Sequence, residues 1–338
     1  MTHIERLQRI GIHRYRLGKR SFRYQAANGS DINRNDLARI NALRIPPAWT
    51  DVAINPAQTG RVQVIGKDIA GRWQYLYHAD HVKRQERAKY ERLTDFGASL
   101  PAMRQSITRH LRQPGLRRER VLACILRILS LSFLRPGSEV YANEHGSFGI
   151  TTLRSKHVAT RGDNVIFDFS GKSGVQQHRE LRDRQVAHVV KDLLKRPGWR
   201  VFRYEDDSGA FVKVAPRDLN AYIKEVMGDR FTAKDFRTWA GTLVCASALA
   251  RINSNGSGHL AFKQKLRLAL TETAKALGNT PAVCRTSYVC PSIIEQFEKG
   301  KLVTHHFNSI DELIGYRGTS LHPAEKALLG FLKNGSRA

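Results

Sequence analysis

The sequence predicts an α+β fold: a small β-rich N-terminal domain followed by a larger, mostly α-helical domain that carries a small β-sheet or hairpin. Three observations predict it. Strand-like alternation is gathered in the first eighty or so residues, in Phe22 to Ala27, Arg61 to Lys67 and Gly71 to His78. From Ala79 onward helical periodicity dominates, interrupted by one strand-rich patch that opens at His157. The chain of 338 residues, 41% hydrophobic, is long enough for two domains and a sizeable core.

In the N-terminal part, Ser30-Asp31 can cap a helix through Leu43, which Pro46-Pro47 stops. Arg61 to Lys67 and Gly71 to His78 read as a hairpin, with Val62, Val64 and Trp73 facing inward. Alternation puts Arg72, Gln74, Leu76 and His78 on one face of the second strand and Trp73, Tyr75 and Tyr77 on the other. Basic and amide groups on a strand suit nucleic-acid grooves; a solvated face over an aromatic core fits the pattern equally well. Ala79 to Leu93 is polar and basic (His81, Lys83, Arg84, Arg87, Lys89, Arg92), as expected of a solvated helix linking domains at 1–82 and 83–338.

Beyond that hinge, helices are expected at Ala102 to Leu111 and Glu119 to Leu134, the second ended by Arg135-Pro136-Gly137-Ser138. Strands follow at His157 to Thr160, Asn164 to Phe169 and Val175 onward, with Ser170-Gly171-Lys172-Ser173-Gly174 as a turn. Gly171-Lys172-Ser173 is no P-loop, since the pattern needs glycine where Ile166 stands. Helices resume at Asp183 to Lys195, Pro216 to Met227 and Ala233 to Leu249, and Ile252 to His259 reads as a mobile Ser/Asn/Gly loop. The helix from Ala261 to Leu277 stops at Gly278; Asn279 or Thr280 caps a new one with Pro281 in its first turn, and Pro291 keeps it from continuing unperturbed past Tyr288. Tyr288 is then either an ordinary half-buried phenol at a helix end or a side chain presented to a large substrate. Ile293 to Lys299 and Pro323 to Leu332 are the last helices expected.

Charge narrows the function. Lys+Arg 56 against Asp+Glu 30 gives a net charge of +26, so any polyanion attracts the chain and nucleic acid is the first candidate. Met1 to Arg20 is basic without an apolar export core, and the longest apolar run, Val121 to Leu134, is interrupted by Arg127 and too short to span a bilayer. A soluble, cytoplasmic, nucleoid-associated protein is expected. Cys124, Cys245, Cys284 and Cys290 form no C-x-x-C pair and read as buried hydrophobes of a reducing compartment. The acids form no obvious cluster for a metal-dependent nuclease.

The segment Asn279 to Tyr288 resembles the active-site segment of the type IB DNA topoisomerases, in particular the short poxvirus-like enzymes found in bacteria. The resemblance extends over Gly66-Lys67-Asp68, Gln74-Tyr75-Leu76-Tyr77-His78, Arg135 to Ala142, Gly146 to Arg154, the Gly171-Lys172 hairpin and Lys234-Asp235-Phe236-Arg237-Thr238-Trp239. It implies a protein that clamps duplex DNA between its two domains and relaxes supercoils by transient single-strand cleavage, without ATP, metal or other cofactor, as a monomer. It makes Tyr288 the nucleophile, Arg135 and Arg237 the phosphate clamp, Lys172 the general acid and Asn279 a donor to a non-bridging oxygen. Lys67, Arg72, Gln74, Tyr75, Tyr77 and Lys234 would touch DNA. Arginine suits the clamp because its planar fork matches phosphate oxygens, and a departing alkoxide needs a proton. Two positions depart from the pattern: Asn279 stands where poxviral and eukaryotic relatives carry histidine, and Pro136 where a branched aliphatic is commoner. Two alternatives are a tyrosine recombinase, expected to have an all-helical N-terminal domain and a His-x-x-Arg box, and a non-catalytic basic DNA binder.

Overall fold

The computed structural model describes residues 1–19, 21–254 and 260–335. The chain separates into two compact units, Met1–Lys89 and Tyr90–Ala338. It is mixed α and β, with a β-sheet in the first unit and mostly helix in the second.

The first unit opens with α1 (His3–Ile10), started by a reciprocal cap between Thr2 and Glu5. After it come β1 (Ile12–Arg16), β2 (Phe22–Gln25), α2 (Arg34–Ala42), β3 (Thr50–Ile54), β4 (Val62–Lys67) and β5 (Trp73–Tyr77). The strands form one antiparallel sheet in the order β2-β1-β3-β4-β5. The expected cap of α2 at Ser30-Asp31 is replaced by Asn33, whose Oδ1 accepts from Asp36 N at 2.8 Å. Asp31 is instead bridged to Gln25 and paired with Arg23, which delays the helix.

The expected inward trio of Val62, Val64 and Trp73 is divided between the two faces of the sheet. A register shift between Val62 and Val64 puts Val62 with Ile65, Leu7, Trp73 and Tyr75, and Val64 with Ile12, Ile40, Ile54 and Leu76. Strict alternation misses this because the bulge adds a residue to one strand. Asp68 closes the β4–β5 turn, accepting from the backbone N–H of Ala70 and Arg72 and from the side chains of Arg72 and Gln74 at 2.9–3.0 Å.

α3 (Ala79–Leu111) is one helix of 33 residues, so the separate helix expected from Ala102 does not exist. Pro101 lies inside it and removes one donor, but Leu93, Phe96, Leu100, Met103, Ile107 and Leu111 continue a single buried stripe through the proline. Gly97, one turn earlier, packs against Trp239, where a β-carbon would lie 2.4–2.6 Å from the indole.

The second unit is built on two buried helices, α4 (Arg118–Ser132) and α8 (Ala233–Ser254). Between them run α5 (Glu139–Glu144), the antiparallel sheet of β6 (Val158–Arg161), β7 (Asn164–Ser170) and β8 (Gln176–Arg182), α6 (Arg184–Leu194), the ribbon of β9 (Arg203–Glu205) and β10 (Phe211–Lys213), and α7 (Pro216–Met227). After α8 come α9 (Phe262–Leu277), α10 (Pro281–Ser287), α11 (Pro291–Glu298), α12 (Ile310–Gly315) and α13 (Pro323–Gly335). α4 ends at Phe133, in the left-handed region at φ 57°, two residues before the expected stop at Arg135-Pro136. Of the expected loop Ile252 to His259, residues 252–254 finish α8, and 255–259 lie outside the described residues. Among the described residues no helix is long and apolar enough to cross a membrane.

Candidate active site

Tyr288 stands at a joint between two short helices. Gly278 ends α9 at φ 60°, Thr280 Oγ1 accepts from Val283 N at 3.3 Å to start α10, and Pro281 occupies its first turn. Tyr288 is the last cap of α10, half-buried, and Pro291 opens α11 three residues later.

Arg237, in the first turns of α8, is 3% exposed, and its guanidinium lies 5.0 Å over the Tyr288 ring. One terminal nitrogen donates to the Phe133 carbonyl at the end of α4, the other to the Leu277 carbonyl at the end of α9, at 2.9 Å. The arginine therefore binds two helix ends while covering the phenol ring. It retains its charge in a buried place because those carbonyls accept its protons.

Arg135 lies on the turn after α4 and donates to Asn279 Oδ1. Its turn is fastened to the Gly149–Thr152 segment: the Arg135 carbonyl accepts from Ile150 N at 2.9 Å, and the Pro136 carbonyl accepts from Thr151 N and Oγ1, both at 2.8 Å. Gly137 has φ +104°, and a β-carbon there would lie 2.9 Å from Thr152 Oγ1. Arg200, 2% exposed, braces the same assembly, donating to the Thr151 carbonyl at 3.1 Å and pairing with Glu139. Sequence reasoning missed Arg200, since nothing local in Gly198-Trp199-Arg200 marks it.

The electrostatics make the Tyr288 phenol easier to ionise than a free tyrosine. Burial alone would raise the Tyr288 phenol, but Arg237, Arg135 and Lys234 outweigh it and leave the group below the ordinary tyrosine value. Burial, and then the charge of Arg135, lowers Arg237 in turn. Burial pushes the neighbouring Cys284 thiol up to about 11 against the pull of Arg237 and Arg135, so it stays protonated at neutral pH. Asn279 Nδ2 is buried and has no hydrogen-bond partner among the described residues, so the site holds an unused donor.

The structure thus brings Arg135, Arg237, Asn279 and Tyr288 together, and Lys234 adds charge from the exposed start of α8. Lys172 is apart from them. It occupies the exposed tip of the β7–β8 hairpin, beside Ser173 at φ 62°, and its side chain makes no hydrogen bond or ion pair among the described residues. The β8 strand of the hairpin is tied to the end of α9: Arg179 donates to the Ala276 carbonyl at 3.2 Å, and Gln177, next to the tip, packs where a β-carbon on Gly278 would sit. In the first unit, Lys67 pairs with Asp51 at 2.8 Å and lies 5.0 Å over Trp73, while Tyr75 and Tyr77 stack at 6.2 Å on the same face. Arg72 and Gln74 are held by Asp68, and Leu76 is packed in the core.

A family model of the eukaryotic DNA topoisomerase I catalytic core matches residues 79–307, and one of the bacterial DNA topoisomerase IB N-terminal domain matches residues 21–68. The chain belongs to the type IB DNA topoisomerase family. Membership makes it a DNA topoisomerase I, an isomerase whose substrate is DNA. The DNA topoisomerase 1B of Acanthamoeba polyphaga mimivirus is 34% identical over 98% of this chain and the whole of that protein. The DNA topoisomerase 1B of vaccinia virus (strain Copenhagen) is 26% identical over 75% of this chain and 79% of that protein. In this type IB chain the core match spans α3 to Phe307 and includes every residue of the Arg135, Arg237, Asn279 and Tyr288 cluster.

Proposed function

We propose that the chain relaxes supercoiled duplex DNA by cleaving one strand through a 3′-phosphotyrosyl intermediate on Tyr288 and resealing it, without ATP or metal. The observation that carries this reading is the phenol ring beneath Arg237, in a site where Arg135 is fixed to Asn279 and the Asn279 amide nitrogen is unpartnered.

The Tyr288 phenol gives up its proton to water, its Oη attacks the phosphorus, the O–P bond to tyrosine forms and the bond to the 5′-oxygen breaks; Lys172 gives that oxygen its proton. The phosphodiester bond energy is kept in the tyrosyl ester, so religation is the same step reversed. Arg135, Arg237 and the Asn279 amide neutralise charge on the non-bridging oxygens as it grows. Lys172, on the tip of a hairpin anchored beside Asn279, reaches the leaving oxygen when DNA fills the site. The residues 1–82 form a DNA-clamping domain using Lys67, Arg72, Gln74, Tyr75 and Tyr77, and 83–338 the catalytic domain, with Lys234 on the phosphates near the scissile bond. The protein works as a monomer in the bacterial cytoplasm, on the nucleoid.

Incubation with supercoiled plasmid in EDTA without ATP, followed by detergent trapping, tests this. Relaxed topoisomers and a protein-linked 3′ end are expected; an absolute requirement for Mg²⁺ would overturn the metal-free reading.

A further inference from the structure

Two neighbours of Arg237 on α8 have no part in the chemistry above, yet both touch the backbone of Tyr288. Thr242 is completely buried; its Oγ1 donates to the Tyr288 carbonyl at 3.1 Å and accepts from Cys290 N at 3.1 Å. These two groups are the open ends of α10 and α11, a carbonyl and an N–H that helix geometry leaves without partners. Val289 and Cys290 between and beside them are buried, so water does not serve there. A single hydroxyl, donor and acceptor at once, satisfies both. Gly241 is the second contact: a β-carbon there would lie 2.9 Å from both Tyr288 Cβ and the Tyr288 carbonyl oxygen, and 3.1 Å from Leu277 Cδ1. Arg237 and Gly241 are four residues apart and share a helix face.

We infer that Gly241 and Thr242 form a seat that aims the nucleophile, fixing the Tyr288 backbone on the same rigid helix whose Arg237 covers its ring. The inference rests on the reading of Tyr288 as nucleophile. Both are positioning residues, since neither touches DNA or the reacting oxygen. α8 is buried from Asp235 to Ala250, so it cannot yield when the joint is loaded with substrate. A hydroxyl at 242 pins the joint between α10 and α11, and the missing side chain at 241 lets the joint come close enough for the phenol to lie under Arg237. Productive attack tolerates only about 0.5 Å of misplacement, and a β-carbon at 241, 2.9 Å from Tyr288 Cβ and its carbonyl oxygen, would force the joint to shift.

The test compares Thr242→Val, which keeps the shape and loses the hydroxyl, with Thr242→Ser, which keeps the hydroxyl, and with Gly241→Ala. Single-turnover adduct formation on duplex DNA, duplex Kd and the pH dependence of cleavage are measured for each. Thr242→Val is expected to slow adduct formation about 10- to 100-fold, with Kd unchanged, and Thr242→Ser to restore most of the rate. The cleavage profile of Thr242→Val should shift to higher pH as the phenol moves from Arg237, and a bridging sulfur at the 5′-oxygen should not rescue it. Gly241→Ala, which removes no polar group, should show the same loss of rate and the same pH shift. Wild-type rates in both Thr242→Val and Gly241→Ala, or equal rates in the valine and serine variants, would overturn the seat while leaving Tyr288 as nucleophile. An adduct formed by Tyr288→Phe would instead overturn the nucleophile and the seat with it.

Discussion

Arg237 covers the ring of Tyr288 at 5.0 Å while both of its terminal nitrogens are committed to backbone carbonyls. An arginine so occupied cannot swing away. Its charge is a fixed part of the phenol's surroundings, and with Arg135 and Lys234 it more than offsets the burial that would otherwise hold the proton on.

Tyr288 should therefore ionise below the ordinary tyrosine value. A spectrophotometric titration of wild type minus Tyr288→Phe is expected to show a phenol ionising below the ordinary value near about 10, and in Arg237→Ala that phenol should move up. The sign is that of a depressed acid: the phenolate adds stability only above the unfolded tyrosine value and the gain disappears as pH falls through the folded one, so at neutral pH the consequence is in rate. A difference spectrum with no early phenol would contradict the electrostatics described here.

How much of this was legible beforehand depends on the range of each interaction. The stop at Gly278, the cap at Thr280 and the placement of Tyr288 at a helix end all follow from residues a few positions apart, and the structure has them. The two carbonyls that hold Arg237 lie 104 and 40 residues away, and the Thr242 bridge to Tyr288 spans 46, so no local pattern could announce them. β1 was missed because His13, Arg14 and Arg16 make it look polar, and β3 because it follows so soon on Pro46-Pro47. The helices expected at Ala79 to Leu93 and Ala102 to Leu111 are one, because tertiary packing runs a single buried stripe through Pro101.

The C-terminal helix α13 is fastened by a buried bidentate pair, Arg104 to Glu325 at 2.8 and 2.9 Å, with Glu325 3% exposed. Glu325→Ala leaves a buried guanidinium unpaired and should cost about 3–5 kcal/mol in denaturant unfolding. Replacing both by apolar residues, Arg104→Met with Glu325→Leu, should recover much of the loss. Equal stability of wild type and Glu325→Ala would show that the pair contributes nothing.

The net charge of +26 makes duplex binding an exchange of counterions. The logarithm of affinity should fall with the logarithm of salt at a slope of about 0.9 for each phosphate neutralised, with weak dependence on sequence. Affinity that holds steady from low to physiological salt would refute an interface made of phosphate contacts.

Deleting residues 1 to about 80 should leave a folded remainder, because the core of the second unit is its own. Duplex affinity should drop with it. An unchanged Kd would exclude the face bearing Lys67, Tyr75 and Tyr77 from the DNA.

Lys172 and Tyr288 should fail in different ways when removed. Lys172 is exposed at a hairpin tip and supports nothing around it, so Lys172→Ala should fold and bind DNA as wild type does. What it loses is a proton donor, and an alkoxide that departs without one is a poor leaving group. Cleavage of an ordinary strand should slow by about 10²–10⁴-fold, the range one positioned acid supplies. Replacing the bridging 5′-oxygen by sulfur, which leaves without a proton, should return Lys172→Ala to nearly the wild-type rate. Arg237→Ala, which loses charge on the non-bridging oxygens and the cover on the phenol, should stay slow on the same substrate. If sulfur rescued Arg237→Ala as fully as Lys172→Ala, the leaving-group proton would have another source, and Lys172 would be a phosphate contact rather than the acid.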